Sequence, residues 1–231
     1  MTELHPVPIA AYRQPVPIDG IIHTGPSGPP GMLAIPCVDW MYTAVVAALL
    51  EMLPTLPAGS RCCLHRFNTT LAAKRNHLVK EFFRHDELEW LLFLDSDQTP
   101  PPDTLTRLLA WNVPIVGAAI CARVPDYYPF VGHFAGDGDD ELSWHPLPLT
   151  PETPALAAVD FCGTGCLLIR RPVLATLGEA WFQADRDGDS EDRMFFKRVK
   201  RAGFPVYADT TLRVGHLTMV SLVVPGGETP T

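Results

Sequence analysis

Positive charge is scarce in this chain: Lys and Arg total 18 against 26 Asp and Glu, for a formal net charge of −8. A protein that must neutralise a run of duplex phosphates needs the opposite balance, so this composition argues against a dedicated DNA binder while leaving room for a local basic face. Long apolar runs are missing too. The longest helical one, Met41 to Leu50, falls far short of the ~20 residues that cross a bilayer, and no basic-then-apolar leader with a cleavage site opens the chain. A soluble, cytoplasmic protein is the expectation. The six cysteines (Cys37, Cys62, Cys63, Cys121, Cys162, Cys166) show no CxxC spacing. Most sit in apolar runs, which points to buried reduced thiols rather than disulfides or a zinc centre.

What is present is apolar mass. At 231 residues and 47% hydrophobic, the chain can bury one sizeable core, and a second full domain is not expected. Residues 1–30 hold seven prolines and an internal echo, Pro-Val-Pro-Ile at 6–9 and again at 15–18. Such proline density favours extended chain over a packed fold. The expected organisation is therefore a Pro-rich arm (1–30) lying on the domain or on a neighbouring subunit of a homo-oligomer, an α/β domain (31–218) and a polar tail (219–231).

The domain reads as alternating strands and helices. Met32 to Pro36 is the first strand, and Asp39 is a candidate cap for a helix from Trp40 to Leu53 closed by Pro54. Arg61 to Phe67 is the second strand, Thr69 or Thr70 a cap, and Leu71 to about Arg84 a helix. Glu89 to Asp95 is the third strand, so three parallel strands precede the middle of the chain. Asp103 to Trp111 reads as a helix and Pro114 to Cys121 as a buried strand. From Arg123 to Pro154 the texture changes to short apolar pieces, prolines and the acidic turn Gly136 to Asp140, the pattern of antiparallel ribbon and loop. Val159 to Arg171 returns to strand character around Cys162-Gly-Thr-Gly-Cys166. Pro172 to Leu177 is a short helix stopped at Gly178. Ser190 caps a helix from Glu191 to Ala202, and Phe204 to Ala208 and Leu212 to Leu217 are short closing strands.

One stretch organises the rest. Trp90-Leu-Leu-Phe-Leu-Asp-Ser-Asp97 is an apolar run that stops at two aspartates one residue apart, as a central strand does when it delivers carboxylates to a crevice at its carboxyl end. Residues i and i+2 of a strand point the same way, so Asp95 and Asp97 can share a hard divalent cation while the chain stays extended. The plain alternative is a strand that runs into an Asp/Ser turn.

The order Ile35-Pro36, Lys74-Arg75-Asn76, Phe93-Leu-Asp-Ser-Asp97 with Pro101-Pro102-Asp103, Gly163-Thr-Gly165, Glu191-Asp192 and Gly215-His216 closely resembles a family-2-like glycosyltransferase of the GT-A fold. The match spans about residues 32–217, and its force lies in the joint order of the blocks. The fold it implies is α/β: a single GT-A-like, Rossmann-like domain with a central, mostly parallel sheet flanked by helices and a small antiparallel ribbon. The activity it implies is metal-dependent transfer of a sugar from a UDP- or GDP-linked donor to a hydroxyl acceptor (glycan, lipid, protein or modified nucleobase), with inversion. The resemblance assigns Pro36, Asp39, Arg75, Asp95 and Ser96 to the nucleotide and its diphosphate. Gly163, Thr164 and Gly165 would bring backbone close to the substrate. Asp95, Asp97 and His216 would hold Mn²⁺ or Mg²⁺, which neutralises the leaving diphosphate. Asp192 would be the base for the acceptor hydroxyl, with Glu191 orienting it.

Each residue has a plainer reading. Arg75 can be a solvated helix arginine, and His216 a structural histidine. The acidic pair can simply complement the dipole of its helix. The glycines can belong to a tight turn, and Trp181 and Phe182 to the core rather than to a sugar face. Asp95-Ser-Asp-Gln-Thr99 also fits the nucleophile motif of haloacid-dehalogenase-like phosphatases, with Asp95 phosphorylated. That motif normally follows the first strand of its domain, whereas two strand–helix units precede it here. A non-catalytic sugar-binding module on the same scaffold is a third reading.

Overall fold

The computed structural model describes residues 16–18, 25–37, 40–66, 69–123, 127–135, 144–179, 181–183 and 190–218. Asp39, the acidic turn at 136–140, the tail from 219 and most of the arm lie outside them. The arm contributes one short strand, β1 (Val16–Ile18).

The early apolar runs form the expected units. Strands β2 (Gly31–Pro36), β3 (Arg61–His65) and β4 (Trp90–Leu94) pair in parallel, β2 lying between the other two. Between them run helices α1 (Thr43–Met52) and α2 (Leu71–Phe83). Thr70 caps α2, its hydroxyl accepting from the Ala73 N–H. Helix α1 starts later than the sequence suggests: its N-cap is Tyr42, which offers no side-chain hydrogen bond. Beyond β4 come β5 (Gln98–Thr99), α3 (Thr104–Ala110), β6 (Ile115–Ala118), β7 (Val131–Phe134) and β8 (Trp144–Pro146). The chain continues through β9 (Leu156–Val159), β10 (Phe161–Cys162), β11 (Cys166–Arg170), α4 (Arg171–Leu177), α5 (Glu191–Arg201), β12 (Val206–Asp209) and β13 (Gly215–His216).

The main sheet has eight strands in the order β1-β3-β2-β4-β11-β6-β12-β9. Five of them, β2, β3, β4, β6 and β12, run the same way, so the sheet is mostly parallel, with β11 inserted antiparallel between β4 and β6. Strands β10, β7 and β8 form the small antiparallel sheet expected after Arg123. Strand alternation divides the core into two layers. On one face Met32, Ala34, Leu91 and Phe93 pack with Leu78, Val79 and Phe82 of α2 and Phe195, Phe196 and Val199 of α5. On the other, Leu33, Ile35, Leu92 and Leu94 pack with Val45, Leu49 and Met52 of α1 and Leu105 and Leu108 of α3. At roughly 1.5–3 kcal/mol per fully buried large apolar side chain, these two layers hold the strand ends that carry the polar residues.

Two calls on element boundaries shift. The strand expected from Val159 to Arg171 is broken: β10 stops at Cys162 and β11 begins at Cys166. The last expected strand, Leu212 to Leu217, shrinks to Gly215–His216, which pairs antiparallel with β5 rather than joining the main sheet. No helix among the described residues is long and apolar enough to cross a membrane.

Candidate active site

The site grows from Arg75. Helix α2 packs its apolar face on the sheet, and Arg75 points from that helix toward the carboxyl ends of the parallel strands, with its side chain only 1% exposed. Its Nη1 donates to Glu191 Oε1 and to Asp192 Oδ1, both at 2.7 Å. Its Nη2 donates to both oxygens of Asp95 at 3.1 Å. One guanidinium therefore gathers three carboxylates from β4's end and α5's first turn. The sequence suggested an arginine reaching for phosphate; here its charge is directed at the acidic residues. The next residue secures the far wall: Asn76 Nδ2 donates to the Phe182 carbonyl (2.7 Å) and Asn76 Oδ1 accepts from the Phe182 N–H (2.9 Å). Phe182 stacks on Phe195 at 4.6 Å, and Trp181 on Phe83, so both aromatics belong to the core.

The two aspartates do not stand side by side. Strand β4 ends at Leu94, and the Gln98 N–H returns to the Asp95 carbonyl at 3.1 Å, closing a turn through Ser96. The turn propensity of Asp and Ser has overridden the extended geometry. Asp95 faces Arg75, while Asp97 faces outward: its Oδ2 accepts from Arg123 Nη1 at 2.7 Å and its Oδ1 lies 3.7 Å from His216 Nε2. His216 is oriented from behind, Nδ1–H donating to the Cys121 carbonyl at 2.6 Å. That leaves Nε2 facing Asp97, where its N–H is directed at the carboxylate; a histidine held this way through Nδ1 would have to give up the Nε2 proton to ligate a metal.

The turn between β10 and β11 closes the site. Thr164 is fully buried, and its hydroxyl donates to Asp192 Oδ1 at 2.5 Å. Its N–H makes a long contact to Asp192 Oδ2, 3.5 Å. Gly165 accepts the Asp95 N–H through its carbonyl at 2.9 Å. A Cβ on Gly163 would sit 2.4 Å from Ile120 Cδ1, so a side chain there would have to push Ile120 aside. Ser190 caps α5 by accepting from the Arg193 N–H at 3.4 Å, fixing the turn that carries Glu191 and Asp192. Pro36 lies buried at the end of β2, paired with His65.

Electrostatics follow from this geometry. Burial raises Asp95 above the usual carboxylate range, helped by Asp192 and Asp97, and Arg75 offsets it only in part. Burial, and then the charge of Asp192, likewise raises Glu191. For Asp97 burial opposes ionisation, but the His216 hydrogen bond and Arg123 outweigh it and hold the carboxyl low. His216 moves the other way: burial lowers it, and the bonds to Asp97 and the Cys121 carbonyl raise it overall.

Asp97 and His216 bring an oxygen and an oriented imidazole nitrogen face to face, two of the ligands that a divalent cation would need, with Arg123 on the other Asp97 oxygen. No group of three such ligands is assembled among the described residues, because Asp95 is turned to Arg75. The expected trio is thus a pair with Asp95 beside it. Sequence reasoning missed Arg123 and Gln98. Arg123 follows β6 at the carboxyl end of a parallel strand, a position that could have flagged it. Gln98 gave no local signal beyond its place in Asp95-Ser-Asp-Gln98.

Neighbours in structure agree with this frame. The chain superposes on A197 from STIV with a TM-score of 0.59 at 18% identity, covering 82% of this chain and 86% of that one. It superposes on GalNAc-T7, crystallised with UDP, GalNAc and Mn²⁺, with a TM-score of 0.52 at 13% identity, covering 83% of this chain and 44% of that one. The fold is GT-A-like. No protein-family model and no curated protein matches the chain. In this GT-A-like frame the crevice lies at the carboxyl ends of β2, β4 and β6, where open α/β sheets bind ligands.

Proposed function

We propose that the protein is a metal-dependent glycosyltransferase that moves a sugar from a nucleoside-diphosphate donor to a hydroxyl acceptor with inversion. The observation that carries this reading is the convergence of Asp95, Asp192 and Glu191 on Arg75, beside the Asp97–His216 pair, at the mouth of a GT-A-like sheet. Support for a UDP-linked donor and Mn²⁺ comes from the ligands of GalNAc-T7. Asp97 and His216 would hold the cation, which supplies charge neutralisation to the departing diphosphate. Pro36, Asp39 and Ser96 are proposed to line the nucleotide.

Asp192 is the proposed base. Its Oδ1 is saturated by Thr164 Oγ1 and Arg75 Nη1, whereas Oδ2 has only the long Thr164 N–H contact. Oδ2 is therefore the oxygen available to take the acceptor's proton. As that proton moves to Oδ2, the acceptor oxygen bonds to the anomeric carbon, and the anomeric C–O bond breaks with its electron pair passing to the diphosphate. Glu191 shares Arg75 with Asp192 and orients the pair. The phosphatase reading is disfavoured because both oxygens of Asp95, its required nucleophile, bond to Arg75.

The test is donor turnover. Wild-type protein with Mn²⁺ should release UDP or GDP from one member of a panel of nucleotide sugars. Asp192→Asn should keep donor affinity while turnover falls by roughly 10²–10⁴-fold, the usual share of a positioned general base. Hydrolysis of simple phosphomonoesters by a wild type that binds no nucleotide would sink the proposal.

A further inference from the structure

Gln98 is the least explained polar residue in the crevice. Its side chain is fully buried, and neither Oε1 nor Nε2 has a hydrogen-bond partner. Buried amides are almost always paired, so an amide with both ends idle needs a reason. Its location supplies one. Nε2 and Asp95 Oδ2 each lie 3.1 Å from the point a Cβ on Gly165 would occupy, so the two groups border the same small space, which a side chain at 165 would crowd. Backbone bonds hold both sides of that space: the Gln98 N–H to the Asp95 carbonyl, and the Asp95 N–H to the Gly165 carbonyl. The pairing of Gln98 with His216 between β5 and β13 ties the same residue to the opposite wall.

We propose that Gln98 is a positioning residue for Asp95: its carboxamide is the partner that Asp95 takes up when a donor diphosphate and its cation occupy the crevice. This rests on the glycosyltransferase reading. An ionised carboxylate offers about four acceptor sites, and Arg75 fills two of them through a single nitrogen, Nη2. A cation held at Asp97 and His216 would compete with Arg75 for the Asp95 carboxylate. Nε2–H of Gln98 would then donate to Oδ2 and keep the carboxylate oriented. Gly165 is required by the same account, because a side chain there would wedge between the two groups.

The test separates stability from metal-linked binding. Gln98→Met keeps length and removes both polar ends. The metal-free variant is expected to melt higher than the wild type, since a buried orphan amide is gone, while its affinity for UDP or GDP in the presence of Mn²⁺ falls at least tenfold. Metal-free nucleotide affinity, where measurable, is expected to stay at the wild-type value. If Gln98→Met melts higher and binds Mn²⁺ and nucleotide as well as the wild type, the amide is a packing defect and the proposal fails alone. A lower melting temperature overturns it too, because the amide would then already be paired in the metal-free protein. A wild type that binds neither nucleotide with Mn²⁺ overturns the glycosyltransferase reading, and this proposal with it.

Discussion

Replacing Arg75 by methionine is the most informative single perturbation of this site. The side chain is 1% exposed and makes four hydrogen bonds, at 2.7, 2.7, 3.1 and 3.1 Å, to Glu191, Asp192 and Asp95. At an effective dielectric near 20, a unit pair at such distances is worth roughly 5–6 kcal/mol gross. Desolvation of four charges and repulsion among the carboxylates cancel most of that. What remains visible is the penalty for breaking the set, about 3–5 kcal/mol for a buried charge left without its partner. Here three carboxylates of 16–23% side-chain exposure would face one another, so the upper end applies. In a chain of this length 1 kcal/mol corresponds to about 2–4 °C, and Arg75→Met should melt about 10 °C or more below the wild type. Urea denaturation supplies the free energy, and a double-mutant cycle with Asp192→Asn supplies the coupling, because neutralising one carboxylate should recover part of the loss. If Arg75→Met stays within about 1 kcal/mol of the wild type, as a solvated helix arginine would, the hub account is wrong and the phosphate-binding role expected from the resemblance returns.

Other outcomes follow from the same geometry. Asp97→Asn should weaken Mn²⁺-dependent nucleotide binding at least ~10-fold yet leave the melting temperature nearly unchanged, because its partner Arg123 is half-exposed; equal titrations by calorimetry with and without metal would count against the assignment. His65 is buried against His77, ring centroids 4.7 Å apart, and burial with the nearby His77 and Lys74 charges lowers its pKa to about 4. A base with a lowered folded pKa is stabilising above its unfolded value of 6.5, and that stability is lost as pH falls toward 4. Denaturation midpoints from pH 7 to 4.5 should thus show a loss of about 2–3 kcal/mol, flattened in His65→Leu; parallel slopes would refute it. Deleting residues 1–24 removes β1 from the edge of β3 and should cost only a few degrees. Deleting 1–30 should cost several times more, because the Trp90 Nε1–H and Glu89 N–H lose the Pro29 and Pro30 carbonyls at 2.8 Å, each about 1–3 kcal/mol if left buried and unpaired.

The fold was legible where local signals agreed with tertiary packing. Thr70 and Ser190 are side-chain caps at the start of periodic apolar stretches, and α2 and α5 begin at them. Strands β2, β3 and β4 lie within apolar runs bounded by turn residues, and their parallel pairing follows from the intervening helices. Strand β11 was readable as a strand but not as antiparallel, because its orientation, shared with β9, is set by its partners β4 and β6 and not by its own residues. The crevice shows the same division. That Asp95, Asp97, His216, Glu191 and Asp192 gather there accords with the order of motifs, whereas their pairings did not follow from it. Arg75 meets its partners 116 and 117 positions away, and no periodicity reports such a contact. Asp95 and Asp97 would share a side only in extended chain through residue 97, and β4 ends three residues short of that, at Leu94.

The charge balance of the site bears on the proposed order of ligand binding. Four carboxylates, Asp95, Asp97, Glu191 and Asp192, converge on two guanidiniums, Arg75 and Arg123. Those six groups alone leave two negative charges inside a partly desolvated site, and His216, whose pKa the bond to Asp97 raises, offsets part of that excess. Mutual repulsion there is part of why Asp95 and Glu191 stand above their ordinary range. A divalent cation between Asp97 and His216 would supply the missing charge, and a nucleoside diphosphate alone would not, since it adds negative charge to an excess already present. Under the proposed function, electrostatics therefore predict that metal enters before or together with the diphosphate. Inhibition patterns with UDP or GDP against Mn²⁺ read this directly. Nucleotide affinity that rises steeply with Mn²⁺ supports the order, and affinity independent of Mn²⁺ refutes the charge argument, even if Asp97 and His216 prove essential for other reasons.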